Sequence, residues 1–187
     1  MKKFFDNIRS DRKQIPVWKF ILFCVVFPVL GAVSGVISKL ADVYSETIGN
    51  YTSGMCCWIL IGTVVCAFTK SPSRSAVYVL LFCVGMIAAY YLTAEIGDLY
   101  YSESFVKGWS VFTCFTPVFA PFAWYAGGKG SAAWVLRIGI AVVMAACLLL
   151  FPGGIVLDVI SIAAMFAVTI KNPQSLRKTG KDNKNGS

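Results

Sequence analysis

The segment WKFILFCVVFPVLGAVSGVIS, residues 18–38, carries one charged side chain, Lys19, in 21 positions. About 20 helical residues at about 1.5 Å each cross the roughly 30 Å hydrocarbon core of a bilayer, so this run is long enough to span one. It lacks the strict apolar/polar alternation of a barrel strand and reads as a helix. Five further apolar runs follow it, over 53–69, 75–94, 109–126, 132–151 and 155–170. The whole chain of 187 residues is 57% hydrophobic and 14% charged, outside the range of an ordinary soluble domain. Hydrocarbon offers backbone N–H and C=O groups no partner, so a chain of this kind must form helices that bond internally. The expected fold class is therefore all-α, a polytopic transmembrane helix bundle with six spans.

The domain division follows directly. A basic tail covers 1–17, the six-helix transmembrane domain covers 18–170, and a tail rich in Lys, Asn, Gly and Ser covers 171–187, with the composition of a disordered segment. The last two runs meet at Phe151-Pro152-Gly153-Gly154, a tight apolar turn that leaves a re-entrant hairpin as the alternative to two crossings. Positive charge on both flanks of that pair favours two. A cleaved signal peptide is the rival reading of the first run, with Ala32-Val33-Ser34 as its cleavage site. The 21-residue run exceeds the roughly 7–15 residues of a signal core, which favours a retained anchor.

Charge placement sets the orientation. Lys2, Lys3, Arg9, Arg12, Lys13 and Lys19 precede or open the first run, Lys70 and Arg74 separate the second and third, and Lys129 and Arg137 flank or enter the fifth. Lys171, Arg177, Lys178, Lys181 and Lys184 complete 15 of the 17 basic residues on one side, against Asp6, Asp11 and Asp182. The other side holds Lys39 and Lys107 with Asp42, Glu46, Glu95, Asp98, Glu103 and Asp158. By the positive-inside rule the basic side, with both the N- and C-termini, is cytoplasmic. The same cations suit anionic lipid headgroups, at about 1 kcal/mol per residue near the surface. They form no basic face interleaved with aromatic residues, so no nucleic-acid partner is expected. Trp18, Trp124, Tyr125 and Trp134 fall at the inner boundary, and Tyr44, Tyr51, Trp58, Tyr100, Tyr101 and Trp109 at the outer one, where interfacial aromatic belts lie.

The inventory of reactive groups is short. There is no histidine, and the seven cysteines lie in apolar runs without a CxxC pair, so no metal or other cofactor is expected. Zinc and serine protease constellations need histidine, and no P-loop is present, so the chain is not expected to be an enzyme. Asn50-Tyr51-Thr52 matches a glycosylation sequon, relevant only in a eukaryotic source.

Three features single out candidate functional residues. Gly31 and Gly35 form a GxxxG seam that admits another backbone, from within the bundle or from a second copy or other membrane protein. In the fourth run Pro117 and Pro121 stand one turn apart beside Thr113 and Thr116, predicting a kinked helix with a freed carbonyl near Thr116 and Pro117 that a neighbour, a water or a ligand fills. Asp158, Glu95 and Asp42, with Tyr91 one turn before Glu95, lie near the outer face. Brought together, they make an acidic vestibule suited to a cation or an amine. Left apart, they are solvated helix ends, with Asp158 paired to Lys39 or Lys107.

The stretch 85–92 (GMIAAYYL), together with 121–130 (PFAWYAGGKG) and the segment GAVSGVISKL of the first run, resembles a family of small six-span bacterial integral membrane proteins of unknown function. That resemblance implies a multi-pass protein of the bacterial cytoplasmic membrane, and no activity. Size and span count are also similar to the substrate-binding subunits of energy-coupling-factor vitamin transporters, an analogy of architecture alone. Two functions are compatible with these features: a small-solute transport or solute-binding membrane component, or a non-catalytic membrane subunit with an immunity, regulatory or assembly role.

Overall fold

The computed structural model describes residues 8–9, 16–150 and 155–171. Residues 151–154 and most of both tails, with the hairpin and disorder expectations attached to them, lie outside the described residues. Among the described residues there are seven helices and no strand: α1 (Val17–Tyr44), α2 (Glu46–Ser53), α3 (Met55–Phe68), α4 (Pro72–Ile96), α5 (Glu103–Ala126), α6 (Ser131–Leu150) and α7 (Ile155–Ile170). The all-α bundle expected from the apolar runs is what forms.

The breaks between helices have local causes. Ser45 and Gly54 are extended, at φ −153° and −74°, and each interrupts what would be a continuous rod. The second apolar run is therefore the straight part of a bent pair, with Thr47–Ser53 and Met55–Phe68 inclined by 50°. Pro72 starts α4 in the first turn, where its missing N–H has no intrahelical partner to lose. Gly130, at φ +91°, turns the chain from α5 into α6, a conformation that side chains with a Cβ resist.

Length and polarity separate the helices. Val17–Tyr44, Pro72–Ile96 and Ser131–Leu149 are long and apolar enough to cross a membrane, and the bent pair makes a fourth if counted as one span. The 16-residue α7 rises about 24 Å, less than the hydrocarbon thickness. The 24-residue α5 has the length but carries Glu103, Lys107 and two prolines. The bundle is compatible with a membrane-embedded protein, and so is its outer surface. Val25, Val29, Val33 and Ile37 of α1 and Val135, Ile138 and Val142 of α6 all face outward.

The helix of the second expected span, α3, is the hub. Between Met55 and Ala67 no residue of α3 is exposed, and α3 packs on α2, α4, α5, α6 and α7. A helix that is apolar all round belongs in such a position. One core cluster gathers Trp58, Val79, Phe82, Met86, Trp109 and Trp124, and a second gathers Cys56, Met144 and Met165. Trp58, Trp109 and Trp124 are thus interior, not belt residues as their positions along the runs suggest. Trp58 meets Trp109 edge to face, and the indole N–H of Trp124 donates to the Thr69 carbonyl at 2.8 Å, satisfying a donor that lipid would leave bare. Trp18 and Trp134 remain exposed.

The closest helix contact is between α1 and α4. Gly31 lies on the Phe82 carbonyl, Gly35 on the Met86 carbonyl, and Gly85 of α4 on the Pro28 carbonyl of α1. The GxxxG seam is therefore filled from within the same chain. A methyl group at Gly35 has no room, because the obstacle is backbone. Gly35→Ala is expected to lower stability in detergent by about 1–3 kcal/mol, as overpacking does. Gly139→Ala, whose methyl meets nothing within 4 Å, keeps or gains stability through helix propensity worth about 1 kcal/mol. Thermal unfolding of the two variants side by side checks the pair, and equal melting temperatures would refute the seam.

Candidate functional site

The outer acidic residues fall into two groups. Asp42, near the end of α1, accepts the Tyr90 hydroxyl at 3.0 Å and pairs with Lys39 at 3.4 Å. The ammonium of Lys39 is itself buried, donates to the Tyr100 carbonyl at 2.8 Å and lies 5.1 Å from the centre of the Tyr90 ring. Tyr91 sits edge-on between Tyr90 and Tyr101, at 5.1 Å and 5.4 Å between ring centres, and Tyr101 donates its hydroxyl to Glu95. An aromatic ladder thereby joins Asp42 to Glu95. That hydrogen bond to the Glu95 carboxylate holds the Tyr101 phenol above its ordinary pKa, because it favours the protonated form.

Asp158 has different neighbours. It is buried in the first turn of α7, facing the Cys56 thiol, with Cys57, Tyr51 and Cys147 nearby. Tyr51 and Ser161 share a hydrogen bond of 2.6 Å, and Cys56 donates to the Met144 carbonyl at 3.2 Å. The helix α2 stands between the two groups, with Gly49 packed on Asp42 and Tyr51 reaching Ser161. Lys39 and Lys107, the two cations proposed for Asp158, pair with Asp42 and Glu103 respectively, each at 3.4 Å. A void of about 10 Å³, roughly one water in size, lies beside the ladder and is lined by Ser38, Ser53, Tyr90 and Tyr91. The Ser38 hydroxyl is buried there without a hydrogen-bond partner among the described residues.

The proline pair resolves into local chemistry. Pro117 removes the N–H that would bond the Thr113 carbonyl one turn back. The Thr116 hydroxyl donates to that same carbonyl at 2.7 Å, so the freed acceptor is satisfied by the residue next to the proline. Thr116 also lines a cavity of about 440 Å³ bordered by α3, α4, α5 and α6. Its other walls include Trp58, Cys66, Cys83, Phe112, Ala120, Leu136 and Gly139. Thr63 lines it too, with its hydroxyl bonded to the Ile59 carbonyl at 2.8 Å, so the two threonines present little free polarity. The volume lies within the roughly 300–1,000 Å³ of small-molecule pockets.

Two arginines close the basic end of the bundle. Arg9 donates to the Trp124 carbonyl at 2.7 Å, to Ala67 at 2.9 Å and to Thr69 at 3.1 Å, with its guanidinium 4.2 Å from the Trp124 ring centre. Arg137 donates to the carbonyls of Ala126 and Gly128, both at 2.9 Å, and of Thr169 at 3.2 Å. The last carbonyls of α3, α5 and α7 have no intrahelical donor, and these fixed forks supply one. Charge placement alone treats both residues as orientation signals. The one hint of a buried role is the depth of Arg137 within an apolar run. The large cavity left no sequence signal, since its lining is ordinary core composition.

Among the described residues no group of three or more His, Cys, Asp and Glu side chains is placed to hold a metal. No family model matches the chain, and neither does a curated protein or a solved structure. The role of Thr116 as a backbone partner is testable by itself. Thr116→Val, which keeps the shape and loses the donor, is expected to cost about 1–3 kcal/mol, the penalty of a buried unsatisfied carbonyl, while Thr116→Ser stays near wild type. Chemical denaturation in detergent measures both, and an unperturbed valine variant would contradict the assignment.

Proposed function

We propose that the protein is a six-span integral membrane protein of a bacterial cytoplasmic membrane, with both termini in the cytoplasm. In this reading it acts as a small-solute transport or solute-binding component whose site is the cavity between α3 and α6. The single observation that carries it is that cavity, about 440 Å³ in volume and walled by four helices, one of them the proline-containing α5. Helices interrupted by proline are where membrane carriers tend to form binding sites. The near absence of free polar groups among its walls assigns it an apolar solute. Asp158, Glu95 and Asp42, already engaged with protein groups at the other end of the bundle, do not line it.

The second reading, a non-catalytic immunity, regulatory or assembly subunit, keeps one supporting feature. The Gly31 and Gly35 seam is occupied by α4, so a partner helix would have to meet the outer apolar face of α1, where Val25, Val29, Val33 and Ile37 are exposed. Lipid covers such a face equally well, which leaves solute binding ahead.

Along α3 the cavity runs from Trp58 to Cys66, a rise of about 12 Å. A series of n-alkanols added to purified protein is therefore expected to raise its melting temperature progressively with chain length, up to a chain of about that extent. The gain should vanish in Gly139→Phe, which fills the void, and short alkylamines should act no better than the matching alkanols. No stabilisation by any alkanol, or the same stabilisation in the filled variant, would contradict the proposal.

A further inference from the structure

The cavity is open sideways, and its opening faces where lipid would be. Phe119 and Phe122 of α5 and Val135 and Val143 of α6 line it and are also exposed, so the gap between these two helices leads from the outer surface inward. The cavity also sits towards the basic end. Its lining residues nearest the α5–α6 turn are Ala123 and Val135, and Lys129 is six residues from each. Lys129 is exposed, and its backbone N–H is pinned to the Ile8 carbonyl at 3.0 Å, which fixes the turn below the gap. Two other cations at this end, Arg9 and Arg137, are buried, and each is bonded to three carbonyls. Among the described residues, Lys129 is therefore the exposed cation of the α5–α6 turn, and it stands at the basic end of a lateral apolar slot of about 12 Å.

From this arrangement we infer that the slot holds an acyl chain of one anionic phospholipid of the cytoplasmic leaflet, with its phosphate at Lys129. The inference rests on the membrane-embedded binding reading above and names its ligand class. An acyl chain matches the apolar walls and enters through the bilayer without crossing water. The lysine adds a preference for a net negative headgroup over a zwitterionic one.

The test uses the full chain in nanodiscs of equimolar phosphatidylglycerol and phosphatidylcholine, extracted into mild detergent and weighed intact by native mass spectrometry. Wild type is expected to retain one phosphatidylglycerol, preferred over phosphatidylcholine by about fivefold, the ratio one lysine near a surface supplies. Lys129→Gln keeps a lipid and loses the preference. Gly139→Phe fills the slot from inside and Val143→Trp blocks it from outside, so either variant retains none, and the second serves if the first fails to fold. Equal lipid retention in wild type and both blocked variants overturns the inference, because the lipid then lies elsewhere on the surface. No retained phospholipid in wild type, with alkanol stabilisation intact, overturns it while leaving the solute reading standing. Loss of both signals overturns both.

Discussion

A carbonyl at the end of a helix has no donor of its own, and in a low-polarity setting it has no water to replace one. The architecture answers that constraint with two guanidiniums. Arg9 and Arg137 draw the terminal carbonyls of α3, α5 and α7 to one end of the bundle, and the starts of α4 and α6 follow from the short turns that join them. The α3–α4 turn and the α5–α6 turn therefore share a face, along with Lys70, Arg74 and Lys129. The positive charge of the arginines also complements the negative ends of the three helix dipoles. Burying each cation is tolerable because every donated hydrogen bond goes to a backbone carbonyl at or just beyond the end of a helix.

Packing then divides the bundle into a tight half and a loose one. Between α1 and α4, three glycines let carbonyls approach where a Cβ would stand, and the fit extends along both helices. Between α5 and α6 no such seam exists. Phe119 and Phe122 splay outward and Gly139 faces open space, so the hub helix α3 has a void on one flank. Thr116 repairs the break that Pro117 makes in α5 and so keeps the wall of that void helical. The polar ladder of Asp42, Tyr90, Tyr91, Tyr101 and Glu95 lies at the other end and ties α1 to the α4–α5 loop.

The helical class was legible because long apolar runs without alternation leave a chain few choices, and α1 starts one residue before the run at 18–38 but continues six residues beyond its end, to Tyr44. The internal break at Gly54 was not, because a single glycine in a run does not reveal whether it bends the helix. Interior tryptophans were misplaced for a related reason: a run position close to a boundary reports depth in the membrane, whereas burial depends on which face meets α3. Of the candidate residues, Gly31 and Gly35 were readable from spacing alone. Thr116 and Pro117 were found for their backbone chemistry, and the structure supplies the partner. Asp158 stood out as a carboxylate inside an apolar run, but its neighbours Cys56 and Tyr51 come from two other helices that only tertiary packing brings to α7.

All of this depends on the arginine-capped end being the cytoplasmic face of a bundle that spans the bilayer. A reporter enzyme active only outside the cytoplasm, fused in turn within the loops 69–71, 97–102 and 127–130 of the full chain, measures that directly. The account predicts activity from the 97–102 fusion and silence from the other two. Activity from the fusion at 69–71 or 127–130 would contradict it.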